Sequence, residues 1–105
     1  MSTTRIFVLF SLKPGIEKSA YEAWALSTDV PIVRDLPSIG GFDVFELTGL
    51  MGSTDKPPFD YIEVVDIKDM DQFGRDVAQE TMQRVAAEFR AFADPLFVNT
   101  RKLGG

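Results

Sequence analysis

Residues 5–12, Arg5-Ile6-Phe7-Val8-Leu9-Phe10-Ser11-Leu12, form an almost unbroken β-branched and aromatic run, the pattern of a strand buried on both faces. Lys13-Pro14-Gly15 ends it. A helix is predicted from about Glu17 to Thr28, where Ala20, Ala23, Trp24 and Ser27 share one stripe and Tyr21, Trp24, Ala25 and Thr28 an overlapping one. Pro31 and Pro37 then bracket Ile32–Leu36, read as a short helical turn or connector. Gly40-Gly41 opens a second strand over Phe42–Thr48.

The stretch Gly49–Pro58 is rich in glycine, proline and polar residues, has no period, and is long for a hairpin. It is expected to be a mobile loop beside the mouth of any pocket. The third strand is predicted over Phe59–Ile67. Within it Ile62 and Val64 make an apolar alternate set, with Tyr61, Glu63 and Val65 on the opposite side. Asp69 is a candidate N-cap. Met70, Phe73 and Val77, then Met82, Val85, Ala86, Phe89, Phe92 and Ala93, recur at helical spacing, predicting one long helix or two joined near Gln79–Thr81. Asp94-Pro95 stops it, Leu96–Lys102 is the fourth strand, and Gly104-Gly105 is a frayed end.

The order β-α-β-β-α-β over 105 residues predicts one ferredoxin-like α+β domain, a four-stranded antiparallel sheet with its helices on one face. The other face is apolar too. Four strands about 20 Å long, spaced about 4.8 Å apart, present about 400 Å², the limit a monomer tolerates exposed. No third helix is available to cover it. The expected solution is a homodimer packed sheet against sheet, a dimeric α+β barrel.

Composition narrows the chemistry. There are no cysteines, which excludes disulfides, thiolate nucleophiles and cysteine-ligated metal sites. There is no histidine, so proton transfer falls to Asp, Glu, Tyr, Lys or water. No cofactor or metal is expected. Eleven Lys and Arg stand against 16 Asp and Glu, for a net charge of −5, which argues against a nucleic-acid or membrane partner. The start, Met1-Ser2-Thr3-Thr4-Arg5, carries no signal-peptide pattern and no apolar run approaches the length of a membrane span, so a cytoplasmic protein is expected.

The segments Ile6-Phe7-Val8-Leu9-Phe10-Ser11-Leu12-Lys13-Pro14-Gly15, Tyr21-Glu22-Ala23-Trp24, Leu36-Pro37-Ser38-Ile39-Gly40-Gly41-Phe42 and Phe59-Asp60-Tyr61-Ile62-Glu63-Val64 resemble the dimeric α+β barrel superfamily. Within it they look like the RedY-like group, the HapK-type proteins of prodigiosin-type pigment pathways. That resemblance implies a role in aromatic natural-product biosynthesis, as an enzyme or auxiliary cyclase. Other superfamily members are haem-degrading or quinol-forming monooxygenases and polyketide cyclases. The chain departs from some of these patterns: Ile6 stands where the histidine-using cyclase has its strand-one histidine, and the histidine that holds haem in the haem-degrading members is absent.

Matched residue by residue, the resemblance places Tyr21 and Trp24 on the pocket side of the first helix, and Tyr61, Glu63 and Val65 on that side of the third strand. Glu63 is the foremost catalytic candidate, because a carboxylate between Ile62 and Val64 is costly to bury ionised and its pKa should rise. The bland alternative is a salt bridge at a sheet edge. Tyr61 is the second, as donor to a substrate oxygen, against the alternative of a core tyrosine. Tyr21 and Trp24 would stack on an aromatic ligand, or simply fill the core. Asp29 is a candidate contact or a turn residue; Arg34 a partner for a substrate carboxylate or for Asp35; Glu46 a weaker copy of Glu63 or a solvated edge residue. The expected ligand is an aromatic small molecule of the pyrrole- or indole-bearing kind. The competing readings are a cofactor-independent monooxygenase and a non-catalytic carrier or chaperone.

Overall fold

The computed structural model describes residues 4–104; the predicted chain start before Thr4 and the terminal Gly105 lie outside the described residues. The elements are β1 (Thr4–Phe10), α1 (Lys18–Trp24), a π-helical segment (Ala25–Asp29), α2 (Val30–Arg34), β2 (Ile39–Glu46), β3 (Tyr61–Ile67), α3 (Met70–Val77), α4 (Glu80–Phe92) and β4 (Leu96–Asn99). The sheet order is β2-β3-β1-β4, with every neighbouring pair antiparallel. This is the ferredoxin-like α+β fold. The backbone of Gly15 at φ 85° turns the chain from β1 toward α1, a conformation glycine adopts without strain.

Strand alternation sets the two faces. Along β3 every odd position, Tyr61, Glu63, Val65 and Ile67, is buried, and the even ones between them are half-buried. The buried face carries Val8 and Phe10 from β1 and Phe42 from β2, against Tyr21, Ala25 and Val33 from the first helical run and Phe89 from α4. Phe10 is its centre: it stacks on Tyr61 at 5.5 Å and meets Phe89 edge-on at 4.9 Å. On the opposite face, register aligns Phe45, Ile62, Leu9 and Leu96 in one row, and Asp43, Val64, Phe7 and Val98 in the next. Phe45 and Leu96 remain 53% and 55% exposed. One end of this face is closed by an Arg5–Asp66 ion pair at 2.5 Å. Gly41 leaves room for it, since a Cβ there would sit 3.2 Å from Asp66 Oδ2.

Several boundaries differ from the sequence reading. The first helix does not end at Thr28. The helical run continues through the π-helical segment to Arg34, with the Val30 N–H bonding Ala25 O five residues back. Pro31 falls in the first turn of α2, where a missing N–H is tolerated. The buried stripe of this run is Tyr21, Ala25, Asp29 and Val33. β2 begins at Ile39, and its Gly40-Gly41 pair takes up a bulge instead of preceding the strand. The second helical region agrees with the two-helix alternative of the sequence reading, broken before Glu80. Asp69 caps α3, accepting from Gln72 N–H at 3.0 Å. β4 stops at Asn99 rather than Lys102 and is exposed throughout.

Candidate functional site

A groove of about 280 Å³ runs along the β2 side of the sheet. Tyr21, Glu22, Ala25, Leu26, Val30 and Arg34 line it from the helical run; residues 43–46 and Tyr61 line it from the sheet. No residue of the 49–58 connection lines it, so the expected place of that loop at the pocket mouth is not what the structure has.

The phenol of Tyr61 reaches across to α1 and donates to Glu22 Oε2 at 2.6 Å. Burial, then this bond, hold its pKa above the ordinary phenol range. The Tyr21 ring lies 4.8 Å from the Tyr61 ring, and the two form an aromatic floor. Tyr21 is fully buried, yet its hydroxyl has no hydrogen-bond partner. Leaving such a group unpaired costs about 1–3 kcal/mol.

Glu63 is only 4% exposed and does not line the groove. It lies in one cross-strand row with Val44 and Val8, of which Val44 does line the groove. Facing Glu63 from the π-helical segment is Asp29, 5% exposed, and the two carboxyls hydrogen-bond to each other. No N–H or hydroxyl group donates to Glu63 Oε2. Burial pushes Asp29 up to about 6, and the bond to Glu63 opposes that rise only in part. Burial first, then the charge of Asp29, raise Glu63 well above the carboxylate range. Burial thus disfavours the charged form of both carboxyls, and the two titrate as a pair.

The sequence candidates thus separate. Tyr21, Tyr61, Arg34 and Glu46 line the groove; Glu63 and Asp29 lie buried beside it; Trp24 and Val65 do neither. Trp24 turns toward α4, stacking on Phe89 at 6.0 Å and donating from Nε1 to Glu88 at 2.8 Å. Val65 is core. Arg34 pairs not with Asp35 but with β2, donating to Phe42 O at 2.9 Å and Asp43 Oδ1 at 3.1 Å. Glu46 pairs with Lys18 at 3.0 Å and is 41% exposed. Sequence reasoning missed the pairing of Asp29 with Glu63, because Pro31 read as a helix break. It also missed Glu22. The spacing Tyr21, Ala25, Asp29 carried the signal for the first.

The comparisons with known proteins agree with this architecture. A family model described as REDY-like protein HapK matches residues 4–103. The structure of HapK from Hahella chejuensis superposes with a TM-score of 0.77 at 25% identity, covering 97% of this chain and 94% of that one. SnoaB from Streptomyces nogalater, described as a cofactor-independent oxygenase, has a TM-score of 0.75 at 14% identity with full coverage of both chains. A dimeric ferredoxin-like protein of unknown function from Thermobifida fusca has a TM-score of 0.74 at 15% identity, covering 95% of this chain and 91% of that one. Among curated proteins no sequence matches significantly. No helix among the described residues is long and apolar enough to cross a membrane.

Proposed function

The chain belongs to the REDY-like HapK family, and on that premise we propose that it binds an aromatic intermediate of prodigiosin-type natural-product biosynthesis and acts on it as a cofactor-free cyclase or auxiliary cyclase. The observation that carries this reading is the buried Asp29–Glu63 pair beside an aromatic-floored groove. The groove positions a flat ligand against Tyr21 and Tyr61 and sheds its water; the acid pair accepts or returns one proton near neutral pH. Both tasks suit a ring closure that needs a proton moved between carbon or heteroatom positions, in a chain without histidine.

The working unit in this reading is a homodimer. The rows Phe45-Ile62-Leu9-Leu96 and Val64-Phe7-Val98 form an apolar face that a second copy would cover, sheet on sheet. A stable monomer in light scattering at micromolar concentration would contradict it.

The test of the chemistry is Glu63→Gln, which keeps the shape and removes the titrating group. Turnover of the pathway intermediate should be abolished, with ligand binding and dimerisation nearly intact. Full activity in the variant would reject the catalytic assignment. The fold shared with SnoaB favours a second reading, a cofactor-independent monooxygenase in which the substrate itself activates oxygen. Stoichiometric oxygen uptake during turnover would select it. The position of Glu63 behind the groove favours a third, a carrier of the intermediate, marked by ligand-induced stabilisation with no turnover by the purified protein.

A further inference from the structure

The charged side chains that line the groove are already paired, with one exception. Arg34 gives Nε to Phe42 O at 2.9 Å and Nη2 to Asp43 Oδ1 at 3.1 Å, so on this wall one cation balances one anion. Glu46 pairs with Lys18 at 3.0 Å. Glu22 is the exception. It lines the groove from α1 and is half-buried. Its Oε2 accepts from the Tyr61 hydroxyl at 2.6 Å, a neutral donor that orients the carboxylate without cancelling its charge. Among the described residues no other donor reaches this carboxylate, and it joins none of the ion pairs. Lys18, one turn earlier on α1, is already spent. The bond to Glu46 first, then the charges of Glu46, Asp60 and Glu22, raise the pKa of its ammonium, so one cation stands among three carboxylates. That ammonium also lies 5.8 Å from the centroid of the Tyr61 ring, as a positive charge drawn to an aromatic face does.

We propose that the groove selects a flat aromatic cation, a ring system whose protonated nitrogen donates its N–H to Glu22, and that Glu22 is the residue that sets this preference. The inference deepens the aromatic-ligand reading above and rests on it. The rings of Tyr61 and Tyr21 supply the surface on which a flat ligand lies. The Tyr61 hydroxyl holds one oxygen of Glu22 and leaves the other to a ligand donor. A charge-assisted bond there is about twice as strong as one between neutral groups, and half-burial screens it less than open solvent would. A ligand carboxylate meets the opposite situation. Arg34, the cation on the groove wall, is committed to β2, and the net charge of the chain is −5. The same arrangement therefore repels an aromatic acid.

The test uses the whole protein and three probes of one shape at pH 7: 4-aminoquinoline, a cation with a ring N–H; quinoline, which is neutral; and quinoline-4-carboxylate, an anion. Amide NMR titrations in about 0.15 M salt, where long-range attraction is screened, give the affinities and the site. In the parent protein the cation should bind about tenfold more tightly than quinoline, the anion more weakly than either, and the shifts should fall on Glu22, Val44 and Tyr61. Equal or tighter binding of the anion overturns the proposal, and this comparison needs no variant. Glu22→Gln should then bring the cation down to the affinity of quinoline and leave quinoline itself unchanged. Asp71→Asn, an exposed change of the same charge on α3 outside the groove, should leave the tenfold preference in place. A preference that survives Glu22→Gln, or that falls equally in Asp71→Asn, overturns the role of Glu22. The two failures are distinguishable: if none of the probes shifts the groove residues, the aromatic-ligand reading fails and this inference with it, whereas quinoline bound without a preference for the cation removes the inference alone.

Discussion

Among the described residues two carboxyl sites are buried, and they are built in opposite ways. Asp76, at the inner face of α3, is fully buried and fully engaged: it accepts from Ser38 N–H at 3.0 Å and from Gln72 Nε2 at 2.7 Å. Those donors favour its charged form and hold its pKa below the ordinary value. The Asp29–Glu63 pair is nearly as buried but has no comparable donors. Each acid is left facing another acid, and burial drives both pKa values up. One site spends its carboxylate on tying α3 to the turn that starts β2. The other buries two carboxyls whose charged forms are disfavoured, at a standing cost in stability. Burial alone does not separate the two sites; the donors around each carboxyl do.

The largest break in this comparison comes from Asp76→Ala. It strips the acceptor from a buried Ser38 N–H and from Gln72, and the melting temperature should fall by roughly 10 °C. A shift of a degree or two would show that Asp76 is not the structural member of the contrast. Next is Asp29→Asn, with the opposite sign. At pH 8 the parent protein carries an ionised Asp29 in a site that disfavours it, and the amide does not. Raising Asp29 from 3.8 to about 6 corresponds to about 2–3 kcal/mol, so the variant should be more stable at pH 8 by about 2 kcal/mol. Chemical denaturation at that pH checks it, and a clear loss of stability would mean the Asp29 charge is paired after all.

The pH profile sharpens the same contrast in the unmodified protein. The folded pKa of the pair is raised, so its stabilising effect is complete below the unfolded carboxylate value and is lost as pH climbs through about 6 and beyond. Asp76 behaves in reverse: its lowered pKa contributes above the unfolded value, and that contribution is lost as pH falls through the folded one. Melting curves across pH 3–9 should therefore peak on the acid side, at roughly pH 4–5. Asp29→Asn should flatten the alkaline limb and leave the acid limb in place.

Much of this was legible in the chain itself. The alternation along Tyr61–Ile67 assigned both faces of β3, placing Glu63 in the interior and Ile62 and Val64 outside it. The topology and the Asp69 cap followed from spacing and local chemistry. What failed had physical causes. Pro31 is an ordinary helix breaker, but here a π-helical segment precedes it and the run continues, which rotates Asp29 inward onto the Tyr21–Ala25 stripe. Asp76 sits in a short amphipathic helix whose apolar set is Met70, Phe73 and Val77, so nothing in the spacing marked it as buried. The partners that bury it, Ser38 and Gln72, are fixed by tertiary contact. Trp24 fits two overlapping stripes, and only the place of α4 decides between them.

The smallest effect separates Glu63 from Glu46, two glutamates that alternate with apolar residues in neighbouring strands and look alike in sequence. Glu46 lies at the groove rim and pairs with Lys18 at 3.0 Å, but both side chains are more than 40% exposed. Water already solvates each charge there, so the pair gains little from contact and loses side-chain freedom in making it. Glu46→Gln should move the melting temperature by no more than about 2 °C, and about 1 M salt should erase even that difference. Glu63→Gln removes no such screened pair, so its effect on stability should be indifferent to salt. A large, salt-resistant loss in Glu46→Gln would mean that the rim glutamate, and not the buried one, is the carboxylate held under tension, and the contrast between the poised interior and the solvated edge would have to be redrawn.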